Sequence, residues 1–395
     1  QRVVLHFEAA MGKQILYLNG KRIQEHLGGY LPFTLDLTAN GVQAGDSCLL
    51  AVYTDNSNDK SYPPGKPQYT LDFAYHGGIY RDVWMIAKSP VAITDAIDSR
   101  TVGGGGVFVH FDKISEKSAQ VYVETEIQND NTRSESVTVE TTFTDAEGNV
   151  IKRTSGKLSL NSGEKKSIRQ QMEVKNPKLW SPDTPYLYRV QSRIKKGNRS
   201  IDGGTTRIGI RLAEFRGKEG FWLNGKPYGK PLMGANRHQD FAVVGNAVAN
   251  SIHWRDAKKL KDLGLEVIRN AHCPQDPAFM DDELGLFVIV NSPGWQFWNN
   301  EPIFAKRVYN DIRNMVRRDR NHPCVWLWEP ILNETWYPED FAGRVKGIVD
   351  EEYPYPSCYS GCDVQAKGSQ YFPVQFAHPM DLSKRDPKIT YFTRE

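Results

Sequence analysis

Two kinds of hydrophobic spacing divide this chain. Over roughly the first 210 residues, apolar positions come in short runs or alternate with polar ones, the period-two pattern of half-buried strands. Val3-Val4-Leu5-His6-Phe7 and Ile15-Leu16-Tyr17-Leu18 open the series, the second running into Asn19-Gly20, a strong hairpin turn signal. Residues 33–37, 48–53, 81–86 and 121–125 continue it, with a Pro/Gly/Asn-rich loop over about 55–68. Turns at Glu147-Gly148-Asn149 and Asn161-Ser162-Gly163, and the glycine run from Gly103 to Gly106, punctuate further strands. Turn signals recurring about every 8–12 residues predict a sandwich or barrel. Ser89-Pro90 marks a boundary, so two successive β-domains are expected, over 1–89 and 90–210.

After Arg211 the period changes. An amphipathic stretch around Trp254, Ala257, Lys258 and Lys261 stops at Leu263-Gly264, a C-terminal cap signal. Glu266-Val267-Ile268-Arg269 then reads as a strand, and Leu286-Phe287-Val288-Ile289-Val290 as a buried one. Phe304, Val308, Ile312, Met315 and Val316 fall at helical spacing, with Arg317-Arg318 suiting the negative end of that helix's dipole. Cys324-Val325-Trp326-Leu327-Trp328 is again strand-like, and Phe341, Val345, Ile348 and Val349 mark another helix. Near-continuous apolar strands alternating with helices predict a parallel α/β sheet over 211–395, doubly wound or closed as a barrel. No glycine-rich phosphate loop follows its first strand, which disfavours a dinucleotide fold.

Composition narrows the functional classes. At roughly 150 residues per domain, 395 residues suggest two or three domains. Fifty Lys and Arg against 47 Asp and Glu give a net charge of +3, which excludes a nucleic-acid binder resting on a strong global basic field. No apolar run is long enough for a membrane-spanning helix. Nine Trp and 18 Tyr are enough to build cores and also to line a ligand cleft. Cys48, Cys273, Cys324, Cys358 and Cys362 are too scattered for a disulfide scaffold; the expectation for all five is small buried hydrophobes.

If the α/β part is a (β/α)8 barrel, chemistry sits at the C-terminal ends of its strands. Those ends read Asn236-Arg237-His238, Arg269-Asn270-Ala271-His272, Asn291-Ser292-Pro293-Gly294-Trp295 and Asn333-Glu334-Thr335-Trp336-Tyr337, and the strand 389–392 runs into Arg394-Glu395. Two carboxylates, Glu334 and Glu395, thus lie at the ends of different strands among His, Asn, Arg and Trp. Glycoside hydrolysis needs such a pair: one carboxylic acid protonates the leaving oxygen, and the other carboxylate attacks the anomeric carbon or activates water. Taken singly each residue reads as structural or solvated; taken together at successive strand ends they favour catalysis.

The motifs resemble glycoside hydrolase family 2, the family of β-galactosidases, β-glucuronidases and β-mannosidases. Tyr17-Leu18-Asn19-Gly20-Lys21 and Gly77-Gly78-Ile79-Tyr80-Arg81-Asp82-Val83 resemble its N-terminal sugar-binding jelly roll. Asn176-Pro177-Lys178-Leu179-Trp180-Ser181-Pro182 resembles the end of its immunoglobulin-like domain, and Phe221-Trp222-Leu223-Asn224-Gly225-Lys226-Pro227 the entry to its barrel. Arg320-Asn321-His322-Pro323-Cys324-Val325 leading to Asn333-Glu334 resembles its acid/base motif.

The resemblance implies a jelly-roll β-sandwich, an immunoglobulin-like β-sandwich and a TIM barrel, the first lacking its opening strands and the last halted at strand seven. It implies Glu334 as general acid/base, Glu395 as nucleophile, and Asn333 on the sugar 2-hydroxyl. His238, His272 and Asp72 would bind glycone hydroxyls, and Arg269 would orient the nucleophile. Trp295, Trp336 and Tyr337 would stack on sugars or pack in the core. Glu329, five residues before Glu334, competes for the acid role, but lacks the Asn neighbour. Pro293-Gly294-Trp295 stands where some relatives carry an acidic magnesium-holding segment, so no metal or other cofactor is expected. The implied activity is retaining, exo-acting hydrolysis of oligosaccharides, with β-galactosidase first and β-glucuronidase as alternative. A non-catalytic carbohydrate-binding fragment is the alternative from another class. A periplasmic or secreted setting follows by analogy, and self-association is left open.

Overall fold

The computed structural model describes residues 1–71, 73–280, 282–377 and 385–393. Asp72 and Glu395 therefore lie outside the described residues. The N-terminal sandwich faces one three-stranded antiparallel sheet, Phe33–Asp36, Arg2–Phe7 and Val83–Lys88, with another, Lys21–Leu27, Lys13–Leu18 and Leu50–Asp55. Lys13–Leu18 shows why: Gln14, Leu16 and Leu18 are buried while the residues between them are half-exposed, the alternation its sequence predicts. Phe7, Leu16, Leu18, Phe33 and Leu35 fill the core, with Phe7 and Phe33 stacked at 4.7 Å.

The second sandwich has longer strands. Val107–Asp112, Ser118–Asn129 and Lys165–Lys175 form one sheet, joined by Val91–Ile93; Val150–Leu160, Glu135–Thr144, Tyr188–Lys196 and Arg199–Ile208 form the other. Inward-facing Val121, Val123, Phe143 and Val190 are fully buried between them. A small antiparallel sheet, Ala213–Phe215, Phe221–Leu223 and Lys226–Pro227, then leads into the α/β part.

Here, among the described residues, seven strands run parallel. Gly234–Arg237, Val267–Asn270, Phe287–Asn291 and Val325–Glu329 pair in chain order. A bridge from Trp328 to Ser360 passes the order on to Gly361–Asp363, Val374–Phe376 and Thr390–Phe392. Helices α1 (Asn250–Asp262), α2 (Pro302–Asp319) and α3 (Glu339–Glu352) cover the sheet. Helix α2 opens on Pro302, whose fixed φ and missing N–H suit a first helical position, and buries Phe304, Val308, Ile312, Met315 and Val316. Its last turn is tied to α3, with Arg313 and Arg317 both bonding Glu352 at 2.6–2.9 Å. The strands at 361–363 and 374–376 have no counterpart in the sequence reading, because three residues are too few to show a period. The cysteine expectation fails at Cys48, which is exposed, while Cys273, Cys324 and Cys362 are buried.

At the N-terminal ends of the strands, Asp282 joins the second sandwich to the barrel. Its backbone carbonyl accepts from Trp180 Nε1 at 3.0 Å, and its carboxylate accepts from the Cys324 N–H at 3.1 Å and meets His322 Nδ1 at 2.8 Å. Burial opposes charge on His322, but the Asp282 carboxylate outweighs it and raises the imidazole's pKa above its ordinary 6.5. A raised folded-state pKa means that this stabilisation is fully present below pH 6.5 and fades as pH climbs through the folded value. We expect His322→Gln to cost most stability in mildly acid buffer and progressively less toward alkaline pH. Urea midpoints of both proteins across that window check this; a parallel pair of curves would refute it.

Candidate active site

The C-terminal ends of the first four strands converge on one polar cluster, and Arg269 is its hub. Its Nε donates to Glu329 Oε2 at 2.7 Å and its Nη2 to Glu329 Oε1 at 2.6 Å, a bidentate fork between fully desolvated partners. Nη2 also donates to Asn333 Oδ1 at 2.8 Å, and Nη1 lies 3.5 Å from His272 Nδ1. Asn291, on the third strand, donates its amide to Glu329 as well. Glu329 is thus a sealed internal counter-ion: with no exposed surface, its carboxylate is spent on Arg269 and Asn291. In contrast, Glu334 is exposed at the mouth, where one carboxylate oxygen accepts from Gln296 Nε2 at 2.6 Å. Of the two glutamates, only Glu334 is open to a substrate.

The fork occupies one edge of the Arg269 guanidinium. Its Nε and Nη2 are engaged by Glu329 and Asn333, so the partner that the described residues give it is Glu329. The implied partner, Glu395, lies outside them. Asn333 is buried and Thr335 Oγ1 donates to its carbonyl at 3.1 Å.

An aromatic wall stands beside the carboxylates. His272 stacks on Trp295 with centroids 4.8 Å apart, and His238 meets His272 edge-on at 5.6 Å. Phe73 reaches in from the first sandwich to within 5.1 Å of His238, 5.9 Å of Trp295 and 6.0 Å of His272. Of the three aromatics expected to stack on sugars or pack in the core, two are packed here. Trp295 is only 8% exposed because His272 lies along its ring, and Lys66 Nζ sits 4.4 Å from its centroid. Tyr337 is buried in an offset stack with Phe341 at 5.0 Å, edge-on to Trp298, a core role. Trp336 is 71% exposed beside Glu334 and remains free to meet a ligand.

The first sandwich also closes one side of the mouth. Arg81 donates to Pro274 O at 2.7 Å, Gln239 Oε1 at 2.9 Å and Tyr30 O at 2.9 Å. Asn299 donates to Lys60 O at 2.8 Å, and Arg307 to Ser61 O at 2.6 Å. Lys66 donates to Gln296 Oε1 from the same loop. Lys66, Phe73 and Gln296 were missed in the sequence. The available signal for Lys66 was its place in a long Pro/Gly/Asn-rich loop, since loops on rigid scaffolds carry function disproportionately.

A cavity of about 660 Å³ shares Arg269 with this cluster and is also lined by Asn236, but opens to one side. It runs between the strands Gly234–Arg237 and Thr390–Phe392, over apolar Phe221, Val267, Ile289 and Trp326. Its walls resemble a core, and Glu334 is not among the residues that line it. Cys273 is no rival nucleophile: burial pushes its thiol up to about 12, leaving it protonated. Among the described residues, a group close enough to hold a metal ion is Asp282, His322 and Cys324, at the opposite ends of the strands.

A parallel α/β sheet behind two β-sandwiches, with carboxylates, imidazoles and amides at the strand C-termini, is the arrangement of the TIM-barrel class, whose active sites sit at that face. The family model for glycosyl hydrolases family 2 matches residues 105–211, and that family's TIM barrel domain matches residues 214–350. The chain belongs to glycoside hydrolase family 2. It is 34% identical to a β-galactosidase of Thermoanaerobacter pseudethanolicus, over 88% of this chain and 44% of that protein. It is 29% identical to a β-glucuronidase of Formosa agariphila, over 83% of this chain and 34% of that protein. A Bacteroides uniformis β-glucuronidase 2, solved covalently bound to a cyclophellitol-6-carboxylate aziridine, superposes with a TM-score of 0.82 at 29% identity, covering 92% of this chain and 44% of that one. The chain therefore spans under half the length of these relatives.

Proposed function

We propose that this chain serves a retaining, exo-acting glycosidase that removes terminal β-linked galactose from oligosaccharides. The observation that carries the reading is the division of labour between two glutamates: Glu329 is sealed against Arg269, and Glu334 faces solvent beside an aromatic wall. In this reading Glu334 protonates the leaving oxygen while Glu395 attacks the anomeric carbon. Glu334 then takes a proton from the water that releases the sugar. Retention requires the two carboxyl groups to stand about 5 Å apart. The covalent adduct named for the Bacteroides uniformis relative supports an enzyme nucleophile. His238, His272 and Asp72 would grip glycone hydroxyls, Asn333 the 2-hydroxyl, and Trp336 the outgoing sugar. The two sandwiches read as a sugar-binding jelly roll and an immunoglobulin-like domain, in a periplasmic or secreted protein.

A β-glucuronidase is the second reading, favoured by the names of the Formosa agariphila and Bacteroides uniformis relatives. The test is a panel of nitrophenyl β-galactoside, β-glucuronide and β-mannoside offered to the full-length protein. We expect the galactoside to turn over fastest. Turnover of the glucuronide alone would replace the glycone and keep the mechanism; turnover of none would leave a carbohydrate-binding role.

A further inference from the structure

We infer that Gln296 is the positioning residue for the carboxyl group of Glu334, and that Lys66 from the first sandwich sets its orientation. The inference rests on the reading of Glu334 as acid/base. Three residues form a single file across the domain boundary. The Lys66 ammonium donates to Gln296 Oε1, and Gln296 Nε2 donates to Glu334 Oε2 at 2.6 Å.

The file has one polarity. An ammonium has three donors and no acceptor, so only the carbonyl end of the Gln296 amide can face Lys66. The NH₂ end is thereby committed to Glu334. If the amide were reversed, two donors would face each other across one contact and a carbonyl would face a carboxylate across the other. With Oε2 of Glu334 occupied by a donor, Oε1 is the oxygen left to carry a proton to a leaving group.

Both ends of the second contact are held. Gln296 and Glu334 both have left-handed backbones, φ 54° and 55°, where residues with side chains are uncommon. The Gln296 N–H also donates to Thr335 Oγ1 at 2.9 Å, pinning the residue next to Glu334. Lys66 has a second anchor in the Trp295 ring, 4.4 Å from its centroid. Its loop is fitted to this place: Gly65, at φ 73°, lies so close to Phe297 that a Cβ there would sit 2.4 Å from the ring. Helix α2 and the segment before it hold the same loop through Arg307 to Ser61 and Asn299 to Lys60.

The signature of such a role is its dependence on the leaving group. An alkoxide must be protonated as it departs, whereas a dinitrophenolate leaves without help, so a misplaced acid harms only the first. The test compares methyl and 2,4-dinitrophenyl β-glycosides of the sugar that the panel identifies, using kcat/KM of the full-length protein. We expect Gln296→Leu to lose about 10-fold to 100-fold on the methyl glycoside and under about 3-fold on the dinitrophenyl one. Lys66→Met should show the same selectivity at smaller amplitude, with Lys66→Arg restoring it, and it keeps the test open if Gln296→Leu fails to fold. Equal losses on both substrates, in either variant, would make the file a structural contact and overturn the inference. Glu334→Gln, run alongside, separates the two failures: if it shows no leaving-group selectivity, the acid/base reading itself falls.

Discussion

Glu334→Gln should leave the protein folded and slow the hydrolysis of alkyl β-glycosides by roughly 10²–10⁴-fold. The two halves of this expectation come from different observations. Glu334 is exposed and its carboxylate is in no ion pair among the described residues, so replacing it with its isosteric amide removes little folding energy, within about 0.5 kcal/mol. The amide nitrogen, however, cannot deliver or take up the proton that passes between the leaving oxygen and the attacking water. Thermal midpoints and kcat on a methyl β-glycoside, measured on the same preparation, test both halves. An active variant would remove Glu334 from the mechanism; an inactive but unfolded one would show that it is structural.

Arg269→Met is expected to do the opposite, failing first as a fold. Glu329 has no exposed surface, and its bidentate partner is the compensation for a charge that water cannot reach. Breaking such a pair from one side costs about 3–5 kcal/mol. The double variant Arg269→Met with Glu329→Leu should recover much of this loss, since no orphan charge then remains. Denaturant titrations of the two single variants and the double give the coupling directly. Equal stability of Arg269→Met and wild type would mean that the fork is ornamental.

The contrast between these two glutamates also shows what could be read from residues alone. Period-two alternation around Leu16 and 3.6-residue spacing through Phe304, Val308 and Ile312 are burial written into sequence, and the strands and helix α2 follow it. The Asn333-Glu334 dipeptide could be picked out through its motif. That Glu329 would be sealed could not, because burial of a carboxylate depends on an arginine that arrives from another strand, 60 positions earlier. Trp295 and Tyr337 were left open for a related reason: an aromatic at a strand end serves equally to face a sugar or to pack, and the sequence does not show the neighbours His272 and Phe341. Lys66 and Phe73 were invisible because their contacts cross from one domain to another, and no local pattern encodes a cross-domain contact. The short strands at 361–363 and 374–376 were lost to their length.

The docking of the first sandwich on the barrel mouth has a consequence in time. Arg81 and Pro274 are 193 positions apart, Lys66 and Gln296 230, and Ser61 and Arg307 246. Contacts of such sequence separation close late, after the entropy of the intervening chain has been overcome, and a chain growing from its N-terminus cannot form them until the barrel's third strand and second helix have emerged. During synthesis the loop carrying Lys66 must therefore wait, without its partner surface, for more than half of this sequence. Both sandwiches are complete by about residue 210, yet the first cannot take its place at the mouth before the chain has grown past Arg307.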